Sequence, residues 1–435
     1  MYRLCAVAFI VSLTGAGASF AQEKRIEITV TGGKEDARNV PIVVPMEVSP
    51  QMAKAVHVRL KAAGSKDPLV GQWTGPGLLT EGIQSKDKTL VRRDLHFIMP
   101  DLKAGTTLTF ALEPLDVPNA SKEFHWKENK GEYTELWRGQ QPIFRYMYRA
   151  YDNSSPENRD KTYKVFHHLF DPTGTRIVTN GGQTDSYTDP KKLVFPHHRG
   201  LMFAFNKITY DNGKKADIWH AKPKDTHESH EGFLSADAGL VLGRHRVAID
   251  WHGPDKEVFA KEEREMTVYG IDGGTLLEFA TRLRTAGGKV RLDGDPQHSG
   301  FQFRAANAVA EKAADKKSAK ETYYLRPDGK GKPGETRNWD PKNLGPVNLP
   351  WDAMSFVLGG QRYTVAYIDH PNNPGEKRYS ERDYGRFGCY FEYDLTPEHP
   401  LVLNHRIWLQ HGEMTGDQVQ ALSASFAAPP KVAVK

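Results

Sequence analysis

The sequence predicts an all-β protein: a small N-terminal immunoglobulin-like sandwich followed by a large β-sandwich. Three observations carry this. Apolar residues alternate with period two in many short runs, the pattern of strands with one buried face. Turn punctuation recurs between those runs, as in Thr31-Gly32-Gly33, Lys103-Ala104-Gly105 and Tyr210-Asp211-Asn212-Gly213. Only one stretch, residues 305–321, reads as a helix. It is rich in Ala, Lys and Glu and poor in apolar residues, which predicts an exposed insertion.

Residues 24–113 form the small domain in this reading. Ile26, Ile28 and Val30 alternate, as do Val56, Val58 and Leu60, then Leu95 and Phe97, then Leu108, Phe110 and Leu112. No reactive constellation stands out there, so a structural or docking module is expected. Residues 114–120 carry two prolines and read as a linker. Beyond them the composition shifts, and 15 of the 17 histidines fall at or after His125. Residues 142–148, 275–279, 363–368 and 401–409 read as strands of the large domain. Asn212-Gly213 marks a hairpin, because those residues accept the positive φ of a tight turn. Residues 327–346 read as a long loop. The domain plan is a signal peptide at 1–21, the small β domain at 22–116, the large sandwich at 117–426 and a frayed tail at 427–435.

The N-terminus has the layout of a secretory signal. Arg3 supplies the positive end, residues 4–13 the short apolar run, and Ser19-Phe20-Ala21 a small-x-small cleavage site. That run is shorter than the ~20 residues of an ordinary membrane span. The expected product is exported, periplasmic or extracellular, and not inserted in a membrane. It has 414 residues once 21 of the 435 are removed, enough to bury apolar cores without staples. Only Cys389 of the two cysteines survives cleavage, which excludes an internal disulfide and a cysteine-rich metal framework. The formal charge of +5 comes from 59 basic and 54 acidic residues, and no basic stripe stands out, so nucleic acid is not an expected partner.

Five polar clusters sit where strands meet loops. Phe195-Pro196-His197-His198-Arg199-Gly200 places three ionisable side chains between Leu193-Val194 and Leu201-Met202-Phe203. Ile218-Trp219-His220 is followed by His227-Glu228-Ser229-His230. His220, His227 and His230 are the candidate ligands for a metal ion, though no zinc motif matches and no other cofactor is expected. Asp295-Pro296-Gln297-His298 leads into Gln302-Phe303-Arg304, where Gln302 and Arg304 share one strand face and suit hydroxyl or carboxylate recognition. Asp369-His370 ends a buried strand before Pro371 and Pro374, with aspartate placed to orient an imidazole. Arg382-Asp383-Tyr384-Gly385 adds an arginine and an aromatic face.

These motifs, in this order, resemble the exported bacterial proteins called PmoA-like, a family of largely unassigned function found in carbohydrate-degrading bacteria. The resemblance spans residues 123–414. The family's name implies methane oxygenase. The mature chain has neither the membrane spans of that enzyme's subunit nor a histidine at its expected first residue, Gln22. By fold-level analogy the large domain looks like the β-supersandwich of sugar mutarotases.

Three functions follow as expectations. The first is an exported enzyme acting on a glycan or sugar derivative by hydrolysis, elimination or epimerisation. His197, His198 and His370 would exchange protons and Asp369 would orient. Arg199, Trp219, Gln302, Arg304, Arg382 and Tyr384 would hold the substrate. The second is a glycan-binding protein without catalysis. The third is a metalloprotein built on His197, His198, His220 and His230. Nothing in the sequence bears on the oligomeric state.

Overall fold

The computed structural model describes residues 26–65, 67–82, 87–115, 121–181 and 192–435. The expected signal peptide and most of the expected linker lie outside them. Among the described residues no helix is long and apolar enough to cross a membrane.

The N-terminal module is one antiparallel ladder of seven strands. Its order is Ala37–Val48, Val91–Leu102, Leu69–Thr74, His57–Ala62, Thr107–Leu115, Glu27–Thr31 and Lys431–Val434. The period-two residues do what their spacing predicts. Ile28, Val30, Val40, Ile42, Val44, Val58, Leu60, Leu95, Phe97, Phe110 and Leu112 share one buried core.

The last strand of that ladder corrects the frayed tail expected at 427–435. Helix Gly416–Ala427 starts on a capping box, in which the Thr415 hydroxyl accepts from the Gln418 amide while the Gln418 side chain accepts from the Thr415 amide. It buries Val419 and Phe426. After Pro429 and Pro430 the chain returns to the first strand, where Val432 pairs with Val30 and Val434 with Ile28. The two ends of the described chain are thus hydrogen-bonded neighbours.

The large domain is a sandwich of two nine-stranded sheets with a four-stranded sheet at one side. Phe279 of one large sheet stacks on Phe301 of the other at 4.0 Å between ring centroids, and one continuous core fills the gap. The small sheet contains the expected hairpin. Lys207–Tyr210 pairs with Lys214–Ala216 across Asn212 and Gly213, both at positive φ.

Two further expectations change. The helix read at 305–321 spans only Asn307–Ala314, and it buries Asn307, Val309 and Ala310 rather than standing exposed. The Asn307 side chain accepts from the Val194 amide at 2.9 Å and donates to the Lys192 carbonyl at 3.2 Å, so this helix anchors the segment entering Phe195. The loop at 327–346 carries two short strands, Gly329–Lys330 and Arg337–Asn338, each joined to a large sheet.

Strand Leu201–Phe205 is buried at every position and pairs with Ser299–Arg304, Leu201 opposite Phe303 and Phe205 opposite Ser299. Gly200 and His298 therefore flank opposite ends of this strand pair. The loops carrying His197–His198 and His298 lean toward each other over the sheet.

Candidate active site at a four-histidine cluster

Four histidine rings meet above this strand pair. His197 lies 4.4 Å from His198 and 4.6 Å from His220, between ring centroids. His298 lies 5.2 Å from His198 and 4.8 Å from His220. The ligating nitrogens of His197, His198 and His298 all lie within 4.8 Å of one another.

The backbone makes this convergence in identifiable ways. Phe195 holds φ 51°, a left-handed conformation that bulky residues avoid, and the His198 amide donates to its carbonyl. Gly200 holds φ 33°, and a Cβ there would meet the His167 carbonyl oxygen at 2.1 Å. His220 follows Trp219 directly after the chain leaves the strand, where the Ile218 amide donates to the Phe205 carbonyl. Lys164 crosses beneath, its ammonium donating to the carbonyls of Trp219 at 2.5 Å and His197 at 3.3 Å.

Two of the four rings are backed by carboxylates. His220 Nδ1 lies 2.8 Å from Asp217 Oδ2, and His298 Nδ1 lies 2.9 Å from Asp295 Oδ1. Ionised carboxylate only accepts, so Nδ1 carries the proton in each ring and the Nε2 lone pair is left free. Asp295 is held well below the usual carboxylate range: burial opposes this, but hydrogen bonds from His298, Asn206 and the Gln297 amide overcome it. The other two rings lack such support. His197 Nε2 and His198 Nδ1 are buried without a hydrogen-bond partner. Desolvation, reinforced by His220 and Lys164, pushes His197 down to about 2. Desolvation and neighbouring His197 hold His198 well below its usual value. Lys164 is pushed down to about 7, by desolvation first and Arg199 second. His197 and His198 are thus held as neutral imidazoles.

The approach is aromatic. Phe195 is 46% exposed, packs 4.7 Å from Tyr384, and leaves part of its surface at the rim. Trp219 contacts His198 and His298 edge-on but is fully buried, so it is a wall behind the rings rather than the substrate platform expected of it.

The arginines and Gln302 take a different role from the one expected. Arg199 is fully buried and turned toward Asp160, 3.1 Å away, with its guanidinium over the Tyr163 ring. Arg304 donates to the carbonyls of Ala305, Tyr384 and Val194, tying the Phe195 loop to the Tyr384 loop. Gln302 donates to the carbonyls of Ser299 and Pro296 and accepts from Arg386 at 2.8 Å. Arg382 stays on the Tyr384 turn, its guanidinium within reach of the Asn338 side-chain oxygen at 2.7 Å. These side chains brace the loops that carry the histidines. Tyr384 packs against Phe195 at the rim.

Asp369 and His370 are not part of the cluster. Asp369 ends strand Gln361–Asp369, His370 lies just past it, and the two side chains enter different surroundings. Asp369 is buried, accepts from Asn373 Nδ2 at 2.8 Å and lies 3.3 Å from His405 Nδ1, close but not aligned for a hydrogen bond. Desolvation raises it to about 6. His370 packs edge-on against Phe426, 5.0 Å away, and lines a cavity of about 260 Å³ at the face toward the N-terminal module. The proposed ligand set of His220, His227 and His230 also separates. His227 stacks between Tyr151 and His252, and His230 Nδ1 meets the Tyr146 hydroxyl, while His220 joins the four-ring cluster.

His298, Asp295 and Asp217 are the residues not assigned a role from the sequence. A signal was there. Asp217-Ile218-Trp219-His220 and Asp295-Pro296-Gln297-His298 repeat one Asp-x-x-His spacing, and both fold into the same carboxylate–imidazole pair.

Residues 133–424 match a family described as Family of unknown function (DUF6807), and the chain belongs to it. No curated protein matches. Among solved structures, an alpha-mannosidase from Enterococcus faecalis V583 aligns at TM-score 0.38 and 9% identity, over 95% of this chain and 46% of that one. A GH36 alpha-galactosidase, AgaA, from Geobacillus stearothermophilus aligns at TM-score 0.32 and 8% identity, over 68% of this chain and 40% of that one. The chain spans less than half the length of either protein.

Proposed function

We propose that this family member is an exported enzyme that acts on a glycan or sugar derivative, with proton transfer at His220. The observation that carries the reading is the Asp217–His220 pair, whose ring lies 4.6 Å from that of His197 and 4.8 Å from that of His298. A carboxylate behind Nδ1 fixes the tautomer and raises the basicity of Nε2, the arrangement a general base needs. The nitrogens of the set next to it can exchange hydrogen bonds with substrate hydroxyls. Phe195 and Tyr384 offer aromatic faces at the rim, suited to the apolar face of a sugar ring. Export and membership of the PmoA-like group belong to the same proposal, on the residues 1–21 and the five motifs. The reaction is one of hydrolysis, elimination or epimerisation, all of which need such a proton transfer.

The test is turnover of a broad panel of plant and algal oligosaccharides, with sugar acids and keto-sugars included. Removing one general base costs about 10²–10⁴-fold in rate, so His220→Ala should lose that much kcat on any substrate found while keeping its affinity. If the wild type binds a glycan but transforms none of the panel, the protein is a glycan-binding module and the enzymatic reading falls.

A further inference from the structure

We infer that His197, His198 and His298 form a binding site for a divalent transition-metal ion, zinc in the first instance. Three observations meet here. The donor nitrogens lie within 4.8 Å of one another. Tetrahedral zinc with Zn–N bonds near 2.0–2.1 Å sets its ligands about 3.4 Å apart, so a shift of roughly 1 Å closes the set. His197 Nε2 and His198 Nδ1 are buried polar atoms with no partner among the described residues. Such atoms lose solvation for nothing unless something binds them. The third ring, His298, has its outer nitrogen hydrogen-bonded to Asp295, the outer-shell arrangement that orients imidazole ligands.

Three imidazoles and no thiolate suit zinc, copper, iron or nickel rather than calcium or magnesium. They leave a fourth position for water or substrate, as catalytic zinc sites do. That position falls on the side of His220, whose ring is 4.6 Å from His197 and 4.8 Å from His298. A metal there would polarise a substrate oxygen beside the free Nε2 of His220. The guanidinium groups of Arg304 and Arg386 oppose a cation at long range. The carboxylates of Asp217 and Asp295, each one hydrogen bond behind a ring, offset them.

A second group, Glu231, Asp250 and His252, also has closely spaced ligand atoms. It differs in kind. Asp250 pairs with Lys261, the Ser229 hydroxyl bonds both Glu231 and His252, and Glu231 is exposed. It carries no inference and serves as the control.

The full chain, stripped with EDTA and dialysed against ZnCl₂, should retain one equivalent of zinc. Cobalt in its place should give the visible absorption of a tetrahedral nitrogen site. His298→Ala, at a partly exposed position, should lose stoichiometric uptake while keeping the wild-type circular dichroism spectrum. Asp295→Asn should weaken uptake about 10–100-fold, the usual effect of removing an outer-shell partner. His252→Ala should leave it unchanged. No stoichiometric uptake by the wild type, or uptake that survives His298→Ala but not His252→Ala, would overturn the assignment. The readout needs no substrate, so zinc binding without sugar turnover would sink the proposed activity and leave this site standing.

Discussion

His167 and His245 lie 5.4 Å apart in ring centroid inside the sandwich, and His197 and His298 lie 5.7 Å apart at its edge. Each pair belongs to a histidine-rich neighbourhood with aromatic company. Inside, His167 and His245 share a hydrogen bond at 3.2 Å between their Nε2 atoms. Phe144 and Tyr146 pack on both, and Trp126 stacks on His245 at 5.3 Å. Among the described residues no carboxylate is hydrogen-bonded to either ring, and both are fully buried. At the edge, the side chains of His220 and His298 keep 23% and 22% of their exposure, and each has an aspartate behind it. Histidine density alone does not mark a site, then. A carboxylate on one nitrogen and partial exposure distinguish the edge rings from the packed ones.

Acid should destabilise the fold through its buried histidines, and this is the largest effect expected. Desolvation lowers His168, His245 and His405 to about 3 in the folded chain. An unfolded histidine titrates near 6.5, so below that pH the unfolded state binds more protons and stability falls as pH drops. Each such histidine should contribute on the order of 1 kcal/mol of loss per pH unit between pH 6.5 and 4. Carboxylates raised by burial, Asp369 to about 6 and Glu228 to about 8, act in the opposite sense and trim the total. Urea midpoints measured from pH 7 to 5 should fall monotonically, and a flat profile would show that the inner rings are not buried as described.

Next in size is the charge that sits under the inner rings. Arg264 is fully buried, donates to Glu262 at 2.7 Å and lies 4.0 Å from Glu228. Arg264→Met would leave the Glu262 carboxylate buried without its cation and should cost about 3–5 kcal/mol. Any folded fraction should still take up zinc, because the edge cluster does not depend on this pair. Loss of uptake in properly folded Arg264→Met would erase the distinction between the neighbourhoods.

The smallest expected effect concerns the rim. A bulky residue held in left-handed backbone costs about 1–2 kcal/mol, and Phe195 is such a residue. Phe195→Gly should therefore stabilise the fold by up to about 1 kcal/mol. The same change should raise KM for a sugar substrate about tenfold through loss of the aromatic face, with kcat nearly unchanged. A stabilised variant with unaltered KM would remove Phe195 from substrate binding.

The legibility of this molecule from its sequence divides along the same physical line. Period-two apolar runs report a local property, the burial of one strand face, and the cores contain Ile28, Val30, Phe97 and Ile407 as that pattern requires. Asn212-Gly213 reports a local backbone need and forms its hairpin. The Phe195–Gly200 stretch stood out because three ionisable residues interrupt a buried run, and two of them, His197 and His198, reach the cluster. What the sequence hid is long-range. Asp369 and His370 are covalent neighbours but enter different surroundings, so adjacency promised a dyad that the fold does not form. Arg304 and Gln302 share a face as expected, yet Arg304 donates to the carbonyls of Val194 and Tyr384 in distant loops, which no spacing reveals. Lys431–Val434 is only four residues long, too short to announce a strand whose partner lies some 400 positions earlier.

That pairing of first and last strands bears on how the chain reaches its final form. Glu27–Thr31 is hydrogen-bonded on one side by Thr107–Leu115 and on the other by Lys431–Val434. During synthesis the N-terminal module emerges with one flank of Glu27–Thr31 bare, and the strand that covers it follows some 400 residues later. Contacts this distant in sequence form slowly, and a bare strand edge recruits other chains. The clasp ties the N-terminal module to the chain beyond the large domain, since Lys431–Val434 directly follows helix Gly416–Ala427.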